Sequence, residues 1–158
     1  MGSVLVEKHI DAPVQEVFAT LANIPESYNT ISAIEAIEML SQGPVGVGTR
    51  WKETRVMFGR EAIEEMEITE FKPNEKYVVE ADTCGSHYRT EIRFEPVETG
   101  TKVAMEMKAK PMTFGAKIMA PLGWLMKGTL VKCFEKDLSD AKTACESHRH
   151  SAANASAS

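Results

Sequence analysis

The spacing of apolar and polar residues changes period three times along this chain. Residues 3–10, SVLVEKHI, alternate weakly, as an opening strand does. In DAPVQEVFATLAN the apolar positions take helical spacing, with Val14, Val17, Phe18 and Leu21 forming one stripe. Asp11 is placed to cap that helix, and Pro13 suits a first turn. IPESYN, with Pro25 near its start, predicts a second short helical piece. Period two then returns, punctuated by QGPVGVG, FG, KPNEK, CGS and ETG. That punctuation predicts strands over 33–41, 49–57, 61–71, 76–83, 87–96 and 101–109, and short connections imply an antiparallel meander.

Helical spacing resumes over 114–146. Pro121 predicts a kink there or a split-off first turn. The first half of this segment is apolar nearly all round, so something must cover it. In the second half, Lys136, Asp137, Asp140 and Lys142 are expected on the polar side. The tail SHRHSAANASAS offers no core-forming residue, so residues 148–158 are expected to be disordered. The remainder, 1–147, reads as a single domain.

One strand pair breaks the simple rule of apolar inside, polar outside. In TRWKETRVMFGREAIEEMEITEF, alternation places Glu53 and Arg55 on the same face as Trp51 and Met57. With residues 58–60 as the turn, Arg55 faces Glu64, Glu53 faces Met66 and Trp51 faces Ile68. Two readings compete. A slipped register or a bulge would turn Arg55 and Glu64 to the rim as a surface ion pair. Otherwise they line a partly wet pocket, where a hydrogen-bonded pair is tolerable. Glu53 has no evident partner on that face, which makes it the strongest general acid/base candidate if enclosed.

The same alternation puts Tyr88, Thr90 and Ile92 on one inward face and Met105 and Met107 on another. On the long helix, Met119, Leu122, Met126 and Leu130 have matching spacing. Together with Trp51, Met57 and Met66, these are the candidate ligand-binding positions, and plain core packing is the alternative for each. Glu53, Glu64 and Tyr88 are the candidate catalytic groups. The chain's nine methionines suit adaptable apolar contact.

Composition narrows the classes. With 158 residues, 43% hydrophobic and 26% charged, the chain fits one globular domain. A net charge of −5 argues against a broad nucleic-acid surface. No membrane-spanning run and no signal core are evident, so a cytoplasmic location is expected. Three cysteines without CxxC spacing read as reduced thiols. No phosphate loop, dinucleotide fingerprint, serine-hydrolase elbow or zinc-ligand pattern is present, so neither metal nor cofactor is expected.

The order of these segments resembles the SRPBCC, or START-like, superfamily. VEKHIDAPVQEVFATLANIPESYN is similar to its usual entry, and GPVGVGTRWKETR to its glycine turn before an aromatic-bearing strand. EITEFKPNEKYVVEA and YRTEIRFEPVETGTKVAMEMK resemble its two later strand pairs, so the likeness covers residues 4–146. The branches it resembles include the polyketide cyclase/dehydrase families and the family of carbon-monoxide-dehydrogenase accessory proteins. The likeness implies an α+β helix-grip fold: a curved antiparallel sheet of about seven strands around a long C-terminal α-helix, with two short helices after strand 1. It also implies a cavity between sheet and helix. Three functions follow from it: binding of a lipid or polyketide, for transport or sequestration; a cyclase/dehydratase (aromatase) type of enzyme; or a membrane- or partner-docking accessory using residues 114–126.

Overall fold

The computed structural model describes residues 3–57 and 59–156, and their side chains except those of residue 124 and residues 148–156. Strand β1 (Ser3–Ile10) leads into α1 (Val14–Leu21), a 3-10 turn (Ile24–Glu26) and α2 (Ser27–Thr30). Then come β2 (Ile34–Met39), β3 (Arg50–Met57), β4 (Arg60–Lys72), β5 (Lys76–Thr83), β6 (Ser86–Val97) and β7 (Gly100–Pro111). Two helices close the chain, α3 (Phe114–Leu125) and α4 (Lys127–Ser156). The seven strands form one antiparallel sheet in the order β1-β7-β6-β5-β4-β3-β2. Each strand of the meander pairs with its sequence neighbour, and β1 returns to pair with β7. This is the helix-grip fold.

Two register shifts, at Ile34/Ala36 and at Ile68/Glu70, bend the sheet. The second also switches faces. Before it, Glu64, Met66 and Ile68 point inward; after it, Phe71 does, and its ring meets Phe18 at 5.4 Å between centroids. The main core lies where α1 and α4 cross the sheet. Phe18 stands edge-on to Phe71, Tyr77 and Phe94, and Leu138, Ala141 and Cys145 of α4 are buried beside it. Phe134, Leu138, Ala141 and Cys145 recur at spacings of three and four, which keeps them on one side of α4.

Two expectations are corrected. First, Met57 pairs with Arg60, so the β3–β4 connection holds two residues rather than three. Glu53 therefore faces Glu64, Arg55 faces Ala62 and Trp51 faces Met66. The shift is by two residues, so every side chain keeps its face while its partners change. Second, the C-terminal helix does not break at Pro121. α3 runs through it, and the break falls at Met126, whose N–H donates to Gly123 O at 3.1 Å. Pro121 has no N–H to donate, and α3 is exposed enough for water to satisfy the carbonyl left without it. The backbone of α4 continues as helix to Ser156. No Gly or Pro follows Gly128, and Ala152, Ala153 and Ala155 are strong helix formers.

α3 is anchored at its start. Thr113 Oγ1 accepts the Ala116 N–H at 3.1 Å, and the Thr113 N–H donates to Gly85 O at 3.1 Å. Gly85 has φ +76°, and a Cβ there would collide with Thr113 Oγ1. Only glycine fits this contact between the β5–β6 turn and the helix.

Candidate functional site: a cavity beneath α3 and α4

Beyond the aromatic core the sheet curves away from the helices and leaves a cavity of about 620 Å³. All seven strands contribute to its walls. β3 contributes Trp51, Glu53, Arg55 and Met57; β4 contributes Glu64 and Met66. β6 adds Tyr88, Thr90 and Ile92, and β7 adds Met105 and Met107. Met119, Leu122 and Met126 border it from α3 and its junction with α4, and Leu130 from α4. The fifteen positions singled out from alternation thus surround one space.

Its polar floor is built on β3 and α4. Arg55 Nε donates to Glu53 Oε1 at 3.0 Å, and Arg55 Nη1 donates to Asp137 Oδ2 at 2.7 Å. Trp51 Nε1 donates to the other Glu53 oxygen at 3.3 Å. Arg55 does not pair with Glu64, which the two-residue register shift sets opposite Glu53; and Glu53 is not unpartnered, because Trp51 and Arg55 flank it on the same face of β3. The Arg55, Glu53 and Asp137 side chains are 15%, 7% and 7% exposed, so this cluster is interior rather than a rim ion pair.

Asp137 is the important residue missed. The sequence reading set it on the polar side of the helix, yet it lies three residues from Phe134 and four from Ala141, inside the buried stripe. That spacing was the available signal. Its Oδ1 is buried without a partner among the described residues.

Two carboxylates on one guanidinium leave the floor short of positive charge, and Glu64 adds a third. Burial opposes charge on Arg55, but Asp137 and Glu53 outweigh it and hold the guanidinium more firmly protonated than usual. Burial pushes the Asp137 carboxyl up, against the pull of Arg55. Glu64, which no described residue bridges, holds its proton more readily than usual: burial and the nearby Glu53 raise its carboxyl, and Arg55 only partly offsets them. The Tyr88 hydroxyl, half-buried, is also raised, chiefly by burial. Tyr77 is spent structurally, donating to Leu21 O at 3.1 Å.

Chemically, the floor can hold a ligand oxygen. A guanidinium has five N–H donors, and only two serve the described hydrogen bonds of Arg55. A protonated Glu64 would donate as well. Cys84, at the rim, lines the same space. No group of three or more His, Cys, Asp or Glu able to hold a metal occurs among the described residues, and His148 and His150 lie outside the described side chains.

The family model for polyketide cyclase / dehydrase and lipid transport matches residues 1–146. The chain belongs to this family. TTHA0849 from Thermus thermophilus is similar over 93% of this chain and 99% of its own, with 17% identity and a TM-score of 0.77. The di-domain ARO/CYC StfQ of the steffimycin biosynthetic pathway shares 12% identity over 94% of this chain, with a TM-score of 0.77. BexL, the di-domain ARO/CYC of the BE-7585A pathway, shares 17% over 92%, at 0.75. The chain spans 52% and 50% of those two proteins, about half of each. At these identities the likenesses establish the fold. No curated protein matches the chain in sequence. Within the polyketide cyclase / dehydrase and lipid transport family, then, this member has a methionine-rich cavity whose floor cation, Arg55, is held by two buried carboxylates.

Proposed function

We propose that the protein binds an amphipathic small molecule, a lipid or polyketide, in the cavity between sheet and helices. Its apolar part lies along Ile92, Met105, Met107 and Leu130, and its oxygen faces Arg55 and Glu64. One observation carries the reading: a cavity of about 620 Å³ with mainly apolar walls and a charged cluster, Glu53, Arg55, Glu64 and Asp137, gathered at its floor. That composition is typical of small-molecule sites, which combine apolar lining with a few placed polar groups. The family description, naming both cyclases and lipid transport, supports the same class of ligand.

The test is native mass spectrometry of the purified chain plus thermal shift against fatty acids, isoprenoids and aromatic polyketides. A ligand at one hundred times its Kd should stabilise the fold by about 2.7 kcal/mol. Absence of any stabilisation, with no co-purifying small molecule, overturns the proposal.

A second reading is favoured by one feature, the pairing of raised Glu64 with Tyr88 on the same wall. In it, Glu64 moves a proton during cyclisation or dehydration of a bound polyketide. Loss of one water from a bound poly-β-ketone, abolished in Glu64→Gln, supports this reading; unchanged ligand recovered after incubation leaves binding alone.

A further inference from the structure

We infer that the cavity selects an amphipathic amine, a ligand that carries a protonated nitrogen at its polar end beside the oxygen facing Arg55. The inference rests on the binding reading above and adds the charge of the head group. The floor holds one cation, Arg55, and three carboxylates, Glu53, Glu64 and Asp137, so its formal charge is +1 − 3, or −2. Arg55 is spent on two of the three, Glu53 at 3.0 Å and Asp137 at 2.7 Å. Glu64 has no cation of its own among the described residues, and across the strand pair it faces Glu53, a like charge. Asp137 is 5% exposed and lines the cavity, yet its Oδ1 has no donor among the described residues. A buried carboxylate oxygen in that state calls for a donor.

Charge orders the head groups. A carboxylate would take the floor from −2 to −3, a hydroxyl would leave it at −2, and an ammonium would bring it to −1. In an interior of low dielectric those steps are large. An ammonium is also all donor, with three N–H groups and no acceptor, which suits acceptor-only carboxylates. The other titratable groups around this end of the cavity are Glu53 and Arg55 from β3, Tyr88 from β6, Cys84 from the β5–β6 turn and Asp137 from α4. Lys127, the second lining cation, begins α4 and stands about 15 Å along the helix from Asp137, too far to neutralise the floor. Burial and Glu53 raise the Glu64 carboxyl in the empty cavity, and burial raises that of Asp137. An ammonium favours the ionised carboxylate, so its binding displaces a proton, and affinity for it rises with pH across that titration.

Isothermal titration of the full chain with decylamine, decan-1-ol and decanoate, which share one chain, tests the inference. At pH 7 decylamine should bind about tenfold more tightly than decanol, and decanoate more weakly than either. The advantage of decylamine over decanol should shrink at pH 5, as more of Glu64 is protonated. Glu64→Gln should remove most of that advantage, and Ala109→Leu, which narrows the cavity, should weaken binding of all three. Decanol or decanoate binding as tightly as decylamine overturns the inference and leaves the cavity-binding reading standing. A decylamine advantage that survives Glu64→Gln overturns it in the same way. So does decylamine binding that Ala109→Leu leaves untouched, since the amine would then sit on the exterior of a chain of net charge −5. No binding by any of the three overturns both readings.

Discussion

The two ends of the same three strands make the instructive comparison. Across β5, β6 and β7 the inward rungs run from Phe94 and Val103, through Tyr77, Ile92 and Met105, to Val79, Thr90 and Met107, and finally Ala81, Tyr88 and Ala109. At the first end Phe94 and Val103 are 5% and 0% exposed, and α1 and α4 press aromatic and branched side chains against them. At the other end no buried hydrophobic stands on the last two rungs, and the helix above them is α3, itself exposed. The backbone pairing is continuous throughout. What changes is the curvature of the sheet and the size of the side chains, so one sheet builds a core and a cavity within a few residues of each other.

If the packed end carries the stability, Phe18→Ala should have the largest effect. It removes a ring that contacts Phe71, Tyr77 and Phe94 at 5.0–6.0 Å. Urea denaturation should show a loss of about 3–5 kcal/mol. A loss near that of an ordinary surface change would mean the fold is not held at this end.

The ion cluster fastens the hollow side to α4, and it comes next. Arg55→Met should leave Glu53 and Asp137 buried without their cation, at a cost of about 3 kcal/mol at pH 7. Carboxyls left unpaired take up protons more readily in the folded chain. The deficit should therefore shrink as pH falls, because the folded state then binds more protons than the unfolded one. A deficit independent of pH would mean that Arg55 acts by packing alone.

A matched pair tests the comparison directly. Ala141→Leu enlarges a fully buried position on α4 and should cost about 1–3 kcal/mol. Ala109→Leu enlarges a cavity wall and should change stability by less than about 1 kcal/mol while weakening ligand-induced stabilisation. Equal penalties at the two sites would show that the cavity closes in solution.

How much of this was legible in the sequence follows from range. Turn residues lie next to the strands they end, so β1 and β4 to β7 fall within a residue or two of their expected bounds. Face alternation is equally local, which is why the inward set of β3 and β4 survived a wrong turn length. Pairing was not local: it depended on whether Arg60 belonged to the turn, and from that single residue came the mistaken Arg55–Glu64 partnership. Asp137 was misplaced because its charge was weighed above its position between Phe134 and Ala141. Alternation offered a pocket as one of two readings, and the family resemblance added its place between sheet and helix. Its volume depends on bulges at Ile34/Ala36 and Ile68/Glu70 that no short pattern announces.

The smallest expected effect isolates Glu64. Its carboxyl is raised in the folded chain by burial and by Glu53, so folding favours its protonated form. A group of this kind gives its full stability below its unfolded value, and that contribution is lost as pH rises through the folded one. Glu64→Gln keeps the shape and removes the charge. At pH 4 it should melt with the parent; at pH 7 it should melt higher, by roughly 1–3 °C for a chain of this size. The difference between the two proteins, rather than either curve, is the quantity to follow, since Asp137 titrates in both. Should Glu64→Gln instead melt lower at pH 7 than at pH 4 relative to the parent, the Glu64 carboxylate would be stabilised by a cation, and the floor would have no spare proton to offer a ligand.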